Sequence, residues 1–312
     1  MSRSKSLVVI AVVTVAQFAF GAEKTFSKTL NVNGAVTLEA TAGSGNITIH
    51  SGDTTHIIVN GRVKPSNNGW SLFGMGDSDQ QQKAVDAVAA NPPIEQNGSW
   101  VRVGRIDDEA LRRNVSISYD ITVPRTTQVK ANSGSGDVRI DQLAGAVTAH
   151  TGSGNIRIHN IEGDVDTSAG SGDVEATSIS GVAKASTGSG NIHVEQSGNG
   201  YTRVSAGSGD VEVEGAKSSL DARTGSGNIR VHGNVGGSWN IRTGSGDVVL
   251  TVPPDGKFTL YAHTSSGDVH SDLPVTTTVT SSSEERHTVR GTVNGGGPQL
   301  DVNTGSGNIT IH

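Results

Sequence analysis

The sequence predicts an all-β protein, a parallel β-solenoid with coils of about 18 residues. The prediction rests on a repeated glycine motif and on the alternating stretch after each copy. Gly-Ser-Gly-Asp or Gly-Ser-Gly-Asn, with Ser in place of the first Gly once, occurs ten times. The copies begin at Gly43, Gly134, Gly152, Gly170, Gly188, Gly207, Gly225, Gly244, Ser265 and Gly305. From Gly134 to Gly244 they are 18 or 19 residues apart, and the apolar alternation after each one is typical of a short strand.

The composition agrees with a narrow, stacked core. The chain of 312 residues contains 42 glycines, only 4% aromatic residues and 33% hydrophobic residues. A globular core of ordinary thickness needs more large apolar side chains. A Gly/Ser-rich chain of this kind could instead be disordered, but the regular alternation after every glycine motif argues against disorder.

One repeat, residues 152–169, shows how a coil is built. Gly152-Ser153-Gly154 predicts a turn, residues 156–159 a strand, residues 162–164 a second turn and residues 165–169 a second strand. Neighbouring coils must supply the hydrogen-bond partners of such short strands. A left-handed hexapeptide helix is excluded because Glu162 stands six positions after Ile156, and a calcium β-roll because the acidic residue directly follows the second Gly, once per 18 residues.

The residue that closes the motif alternates between Asp and Asn over seven consecutive coils. These residues are Asp137, Asn155, Asp173, Asn191, Asp210, Asn228 and Asp247. Parallel coils would place them about 4.7–4.9 Å apart, where a continuous column of carboxylates would repel. We interpret the column as a structural ladder in which the Asn amide donates to the carboxylates above and below. A row of cation sites is the alternative, although calcium prefers about six to eight oxygens per ion.

Two other repeated sets are assigned to the surface. Charged residues of opposite sign alternate two positions beyond the ladder, and we expect them to pair across the coils: Arg139, Arg157, Glu175, His193, Glu212 and Arg230. Four histidines recur after Asn-Ile-x-(Ile/Val), at His50, His159, His232 and His312. Histidines on alternate coils would lie too far apart to share a metal ion, so the sequence predicts no metal site and no cofactor.

The period breaks between residues 65 and 113, and we treat this segment as an insertion. It contains an apolar, Gly/Asn-rich loop with Trp70, Leu72, Phe73 and Met75, and a predicted helix over residues 80–90. Two strand-like runs follow, over residues 99–106 and 114–123. The insertion either caps the open end of the stack or carries a recognition loop, and the four loop residues are the candidate partner contacts.

The sequence also predicts coils near the two ends of the chain. Residues 30–63 are expected to form one or two coils before the insertion, and residues 271–290 to lengthen one or two coils near the other end. The stack is expected to end close to His312.

Residues 1–22 resemble a signal peptide, and residues 23–312 then form a single domain. Arg3 and Lys5 precede an apolar stretch over residues 7–20, and cleavage is expected after Gly21 or Ala22. The stretch is shorter than the roughly 20 residues of a spanning helix, so no integral membrane segment is expected after cleavage.

Without the two basic residues the chain has 22 basic and 30 acidic residues, a formal charge of −8, which argues against nucleic acid as a partner. We expect export to the periplasm, the outer surface or the medium.

Several motifs outside the simple repeat resemble one known group. Residues 119–126 leading into residues 133–138 resemble the opening of the bacterial "putative adhesin" family, a domain of unknown function with T-G-S-G-D-V/I repeats. Residues 244–256, 266–268, 291–297 and 304–309 are similar to its C-terminal part. The resemblance covers about residues 30–312 and implies an exported β-solenoid without known catalytic residues.

The sequence favours a non-enzymatic protein that binds glycan or protein at a cell surface or envelope. A structural envelope component that self-associates end to end through open coils is the first alternative. A polysaccharide lyase or hydrolase is the second, because parallel β-helices also house such enzymes. Catalysis needs converging acidic and basic groups, and Asp107-Asp108, the only adjacent Asp pair, lies outside the regular coils.

Overall fold

The computed structural model describes residues 23–52, 55–66, 77–277 and 286–312. These residues form 27 strands and two helices. In chain order the elements are β1 (Lys24–Asn31), β2 (Thr37–Ala42), β3 (Ile47–Gly52), β4 (His56–Pro65), α1 (Asp77–Ala90), β5 (Ile94–Asn97), β6 (Trp100–Val103), α2 (Glu109–Asn114), β7 (Val115–Pro124), β8 (Gln128–Ser133), β9 (Val138–Leu143), β10 (Val147–Thr151), β11 (Ile156–Ile161), β12 (Val165–Ala169), β13 (Val174–Ile179), β14 (Ala183–Thr187), β15 (Ile192–Gln196), β16 (Thr202–Ser208), β17 (Val211–Ala216), β18 (Leu220–Ser226), β19 (Ile229–Gly233), β20 (Trp239–Ser245), β21 (Val248–Thr251), β22 (Phe258–Ser266), β23 (Val269–Ser271), β24 (Val275–Thr277), β25 (Thr288–Val293), β26 (Gln299–Ser306) and β27 (Ile309–Ile311).

The strands form two sheets that face each other. Sheet A has 13 strands in the order β1-β4-β7-β3-β9-β11-β13-β15-β17-β19-β21-β27-β23, and sheet B has 14 in the order β24-β25-β22-β26-β20-β18-β16-β14-β12-β10-β8-β2-β6-β5. Eleven neighbouring strands in each sheet are parallel, so each coil supplies one strand to each sheet. The predicted fold class, an all-β parallel β-solenoid, is confirmed.

The core is a thin layer of small and β-branched side chains between the sheets. In the repeat over residues 152–169, Ile156 and Ile158 point inward from sheet A, while Val165, Thr167 and Ala169 point inward from sheet B. Equivalent residues stack directly, so that Val147 pairs with Val165 and Val165 with Ala183. Burial of one alternating face fixes this register, because a slip by one residue would expose the whole apolar set.

The order of coils along the stack differs from their order in the chain at the N-terminal end. The coil formed by β6 and β7, which we call the terminal coil, lies outside the coil of β2 and β3. The β2–β3 coil therefore lies between the terminal coil and the coil of β8 and β9. The insertion thus contributes β6, one of the two strands of the terminal coil.

The stretch over residues 30–63 supplies one coil, β2 and β3. Sheet A is instead extended by β4, which pairs antiparallel with β7, and by β1, which pairs antiparallel with β4. Neither β1 nor β4 contains the Gly-Ser-Gly motif that turns the chain from one sheet to the other in the regular coils. The expected helix is present as α1, begins three residues earlier than expected and packs against β4 and β1. Its buried residues include Val85 and Val88.

The C-terminal end contradicts two expectations. The last coil of the chain, formed by β26 and β27, lies between the coil of β20 and β21 and the coil of β22 and β23. The stack therefore does not end at His312. Within residues 271–290, the described strands add no coil: β24 pairs antiparallel with the end of β25, and β25 pairs antiparallel with β22. This antiparallel pair protects the edge of sheet B, which a further parallel coil would leave open.

Candidate functional site

The corner at each glycine motif brings main chains into very close contact. A Cβ at Gly190, the second Gly of its motif, would lie 2.1 Å from the carbonyl oxygen of Gly172 in the preceding coil. Side chains therefore cannot be placed there, and glycine is required by close approach. This contact sets the spacing of the coils at the corner.

The Asp and Asn residues that follow the corner form one continuous column of hydrogen bonds. In spatial order the column is Asn46, Asp137, Asn155, Asp173, Asn191, Asp210, Asn228, Asp247, Asn308 and Asp268. The Oδ1 atom of each residue accepts a hydrogen bond from the main-chain N–H of the next residue. The nine N–O distances lie between 2.7 and 3.0 Å.

The column differs in one respect from the expected ladder. The donors are main-chain N–H groups, whereas we expected the Asn side-chain amides to donate to the carboxylates. The reason is geometric, because the parallel main chain of the next coil presents its N–H directly above each Oδ1. At the terminal coil, Ser118 takes the equivalent position, and its Oγ accepts from the Asn46 N–H at 3.2 Å.

A second column of hydrogen bonds was not anticipated from the sequence. The residue before each motif points into the core, and where it is Thr its hydroxyl joins two coils. Thr151 Oγ1 donates to the Gly136 carbonyl at 3.0 Å and accepts from the Gly154 N–H at 3.1 Å. Thr187, Thr224, Thr243, Thr304 and Thr264 likewise donate to a glycine carbonyl of a neighbouring coil. The signal was the Thr that precedes Gly-Ser-Gly in many copies.

The charged residues on the wall of sheet A pair only in part as expected. Arg157 lies 3.7 Å from Glu175, and His193 lies 3.2 Å from Glu212. Arg139 instead pairs along its own strand with Asp141 at 2.7 Å. Arg230 pairs with the column residue Asp210 at 3.7 Å rather than with Glu212. Most of these side chains are exposed, and Asp141 and His193 are half-buried, so each pair contributes little to stability.

The repeated histidines lie on the walls, and three of them contact neighbouring side chains. His50 Nε2 lies 2.9 Å from Thr122 Oγ1, and His159 Nδ1 lies 2.9 Å from Thr177 Oγ1. His312 makes a 2.7 Å contact with Asp272. Within the described ranges, no group of three or more His, Asp or Glu side chains is placed to hold a metal ion.

Asp272 is bound by two histidines near the end of sheet A. His312 Nδ1 lies 2.7 Å from its Oδ2, and His270 Nε2 lies 2.9 Å from its Oδ1. These hydrogen bonds, that of His312 above all, lower the pKa of the Asp272 carboxyl below its usual value. The three residues link the loop after β23 to the last residue of the chain.

The adjacent Asp pair, the only sequence feature that suggested acid catalysis, is engaged in local structure. Asp107 accepts a hydrogen bond from Arg105 Nε at 2.8 Å. Asp108 caps α2 by accepting from the N–H groups of Ala110 and Leu111 at 2.8 and 3.2 Å. Both aspartates therefore have structural roles, Asp107 as the partner of Arg105 and Asp108 as the N-cap of α2.

The N-terminal end offers a polar groove on the outer face of sheet A. Its volume is about 560 Å³, and its lining includes Ser27, Asn60, Arg62, Lys64, Ser118 and Asp120. Ser27 donates to Asn60 at 2.8 Å, and Arg62 pairs with Glu23 at 3.0 Å. The groove combines both charges with hydroxyl and amide groups, which suits a polar partner.

The candidate contact residues Trp70, Leu72, Phe73 and Met75 lie outside the described residues. The described chain stops at Ser66, after β4, and resumes at Asp77, where α1 begins. The expected signal peptide, residues 1–22, also lies outside the described residues. Among the described helices, none is long and apolar enough to cross a membrane.

Comparison with known proteins gives one family match. A sequence model of the Toastrack DUF4097 family matches residues 121–312. No curated protein matches.

Two solved structures also align over most of the chain. One, titled "putative cell adhesion protein" and from Clostridium sporogenes, is 13% identical with a TM-score of 0.24 and covers 93% of this chain and 98% of its own. The other, titled "putative adhesin" and from Bacteroides fragilis, is 11% identical with a TM-score of 0.39 and covers 93% and 97%. At such low identities and TM-scores, neither carries an argument about function.

Proposed function

Because the chain belongs to the Toastrack DUF4097 family, whose solenoid architecture it shares, we propose that it is an exported, non-enzymatic binding protein of the cell envelope with an adhesin-like role. Its partner is a glycan or a protein at a cell surface or envelope. Export removes residues 1–22 and leaves the solenoid as the mature protein.

This proposal depends on one observation: the repeated polar side chains make hydrogen bonds inside the solenoid. The Oδ1 of each Asp or Asn from Asn46 to Asn308 along the column accepts a hydrogen bond from the main-chain N–H of the next coil. Thr hydroxyls before the motif are likewise bound inside the stack. The repeat therefore builds a rigid scaffold, and binding is left to the parts of the chain that depart from it.

One large departure from the repeat lies at the N-terminal end, in the insertion over residues 65–113. The groove lined by Ser27, Asn60 and Arg62 lies there. In the sequence, residues 67–76, which include Trp70 and Phe73, connect β4 to α1. Loops placed on a rigid scaffold commonly carry recognition. We therefore propose the N-terminal end as the partner-contacting region.

Fractionation of producing cells tests export and binding together. We expect a mature chain that begins at Ala22 or Glu23, outside the cytoplasm, and purified residues 23–312 that are retained on envelope fractions. A cytoplasmic chain with an intact N-terminus would contradict export. Absence of retention on envelopes and on whole cells would contradict the binding role.

A matched pair of variants tests the contact region. The double variant Trp70→Ser/Phe73→Ser should lose most retention, because aromatic side chains dominate protein contacts. Val249→Ser on the wall of sheet A, far from that end, serves as control and should be retained like the parent. Equal retention of all three proteins would remove the loop from the proposal.

The two alternatives remain distinguishable by simple measurements. Self-association end to end would raise light scattering with concentration, whereas we expect a monomer, since β1 presents Lys24 and Lys28 at the outer edge of sheet A and edge charges oppose strand pairing. A lyase or hydrolase would release products from acidic polysaccharides, and we expect none.

A further inference from the structure

A hollow of about 350 Å³ lies at the corner of the terminal coil. Ten coils close this corner with the glycine motif, but the terminal coil closes it with residues 104–114, which include α2. The hollow lies between β2, β6, α2 and β7. Its volume lies in the range of small-molecule sites.

The hollow is positively charged in an otherwise acidic protein. Three arginines line it, Arg102, Arg105 and Arg112, together with a single carboxylate, Glu39. The whole chain, by contrast, has a formal charge of −6. Glu39 and Glu95 lie against Arg102, and Asp107 pairs with Arg105, so the guanidinium that remains for an anionic ligand is that of Arg112.

The three arginines differ in how they are held. Arg102 is fixed, because its Nε and Nη2 both donate to Glu39 Oε2 at 3.3 Å and its guanidinium stacks over the Trp100 ring at 4.5 Å. Arg105 is bound to Asp107. Arg112 is exposed and has no ion-pair partner within the part of the chain that the structure describes. Arg112 is therefore the guanidinium most available to a ligand.

Tyr119 supplies an independent sign of a missing partner. It lines the hollow, is only 3% exposed, and its buried hydroxyl makes no hydrogen bond to any described residue. Buried hydroxyl groups are normally bonded. Burial also raises the pKa of the Tyr119 phenol, so the hydroxyl stays protonated and can donate.

The remaining walls are apolar. Ala42, Ile106, Val115 and Ile117 line the hollow beside the polar groups. A small inorganic anion would leave these surfaces uncovered, whereas a ring or short aliphatic body attached to the anionic group would bury them. The walls thus favour an organic anion over phosphate or sulfate.

We infer that this hollow binds a small organic carboxylate of the size of a sugar acid, with Arg112 pairing the carboxylate and Tyr119 donating a hydrogen bond to the ligand. The ligand is either a free sugar acid or the terminal uronate of an acidic glycan. The inference rests on the binding role proposed above and names its ligand class.

Calorimetry on residues 23–312 tests the inference with three probes: D-glucuronate, D-glucose and inorganic phosphate. We expect binding of glucuronate and none of glucose at the same concentration. Arg112→Gln should weaken glucuronate binding at least about tenfold, the loss of one charge-assisted contact. Tyr119→Phe should weaken it about threefold or more, with an unchanged or raised midpoint of thermal unfolding.

Arg113→Gln is the matched control, because Arg113 lies on the same helix but does not line the hollow and pairs with Glu109. Its affinity should equal that of the parent. Equal binding of glucose, phosphate binding as tight as glucuronate, or insensitivity to Arg112→Gln would each overturn the inference.

A second measurement separates this inference from the broader proposal. If glucuronate does not bind but the protein is retained on envelopes, only the ligand class is wrong. If Arg112→Gln lowers both glucuronate binding and retention, the hollow holds the terminal residue of an acidic glycan. If glucuronate binds and retention is unaffected by the variant, the ligand is the free sugar acid.

Discussion

At the scale of single residues, the two glycines of one motif have different roles. A Cβ at Gly45 would lie 1.9 Å from the carbonyl oxygen of Ile117, whereas a Cβ at Gly43 would meet nothing within 4 Å. The obstacle at Gly45 is main chain, which cannot rotate away. The second glycine is therefore required for stacking at this corner, and the first is not.

This difference predicts opposite results for two substitutions in the same motif. Gly45→Ala should lower the free energy of unfolding by about 3 kcal/mol or more, because the two coils must separate. Gly43→Ala should change it by less than about 1 kcal/mol. Urea unfolding of both variants measures the effect. Similar losses in the two proteins would contradict the role assigned to close approach.

The alternation of Asp and Asn also has a residue-scale explanation. Either side chain can accept from the main-chain N–H above it, so hydrogen bonding alone does not require the alternation. Electrostatic repulsion explains the alternation, since neighbouring carboxylates along the column would repel each other. In the structure every Asp of the column has Asn as its column neighbour on each occupied side.

Asn191→Asp should therefore destabilise the protein even though it keeps the acceptor oxygen. It would place a third carboxylate between Asp173 and Asp210, at a cost of about 1 kcal/mol or more. High salt should reduce the loss by screening. Asp173→Asn, which removes a charge and keeps the oxygen, is the control and should be nearly neutral. Urea unfolding at low and high salt provides the comparison, and a loss that salt does not change would contradict the electrostatic explanation.

At the scale of elements, the strands of the regular region were predictable and the ends were not. The alternation after each motif predicts β11 and β12 within one or two residues of their observed bounds, because one face is buried and the period is two. The glycine motif predicts where the chain turns a corner. It does not say on which side of an existing coil the next strand pairs, and hence β1, β4 and β25 were not recognised as antiparallel.

The candidate site was predicted less completely than the fold. The column from Asp137 to Asp247 was found from the sequence because its members share one phase of the repeat. The hollow beside α2 was not found, since Arg102, Arg112 and Tyr119 come from elements without any common period. A site built from a departure from the repeat leaves no periodic signal.

Another element-scale feature is the short strand β23, which is tied to the chain end through Asp272. The pKa of Asp272 is lowered by His312 and His270, so the folded state binds this proton less readily than the unfolded state. Its stabilising contribution is therefore complete above the ordinary Asp pKa of about 3.9 and is lost as the pH falls through the lower folded value.

Comparison of the parent with Asp272→Asn checks this direction. Above about pH 5 the variant should show faster hydrogen exchange in β23 and β27 than the parent, and below about pH 3 the two should converge. Asp255→Asn, in an exposed turn, should match the parent throughout. If the difference in hydrogen exchange between parent and Asp272→Asn grew as the pH fell, the predicted direction of the pH dependence would be wrong.

At the scale of the whole molecule, the unexpected feature is that a coil from each end of the chain lies inside the stack. The β2–β3 coil and the β26–β27 coil each have a neighbour on both sides. The core residues of the latter, Leu300, Val302 and Ile309, are fully buried. The stack therefore cannot be completed by adding coils in chain order, and its C-terminal part depends on the last 14 residues.

The Asp/Asn column contains the sequence signal for this arrangement. In chain order Asp247 is followed by Asp268 and then by Asn308, so sequential stacking would bring two carboxylates together. In spatial order Asn308 lies between them, and alternation is restored over all ten coils that carry the motif. Electrostatic alternation thus predicts the order of stacking where the glycine spacing does not.

Cross-linking tests the stacking order directly, because the chain contains no cysteine. Ser245 pairs with Ser306, and Ser306 with Ser266, whereas Ser245 and Ser266 are two coils apart. Neighbouring strands are about 4.8 Å apart, within the Cα range of disulfides, while two coils span about 9.6 Å, beyond the limit of about 7 Å. The double variant Ser245→Cys/Ser306→Cys should form an intramolecular disulfide, detected by mass spectrometry. Under the same oxidation, Ser245→Cys/Ser266→Cys should not, and the reverse outcome would show that the coils stack in chain order.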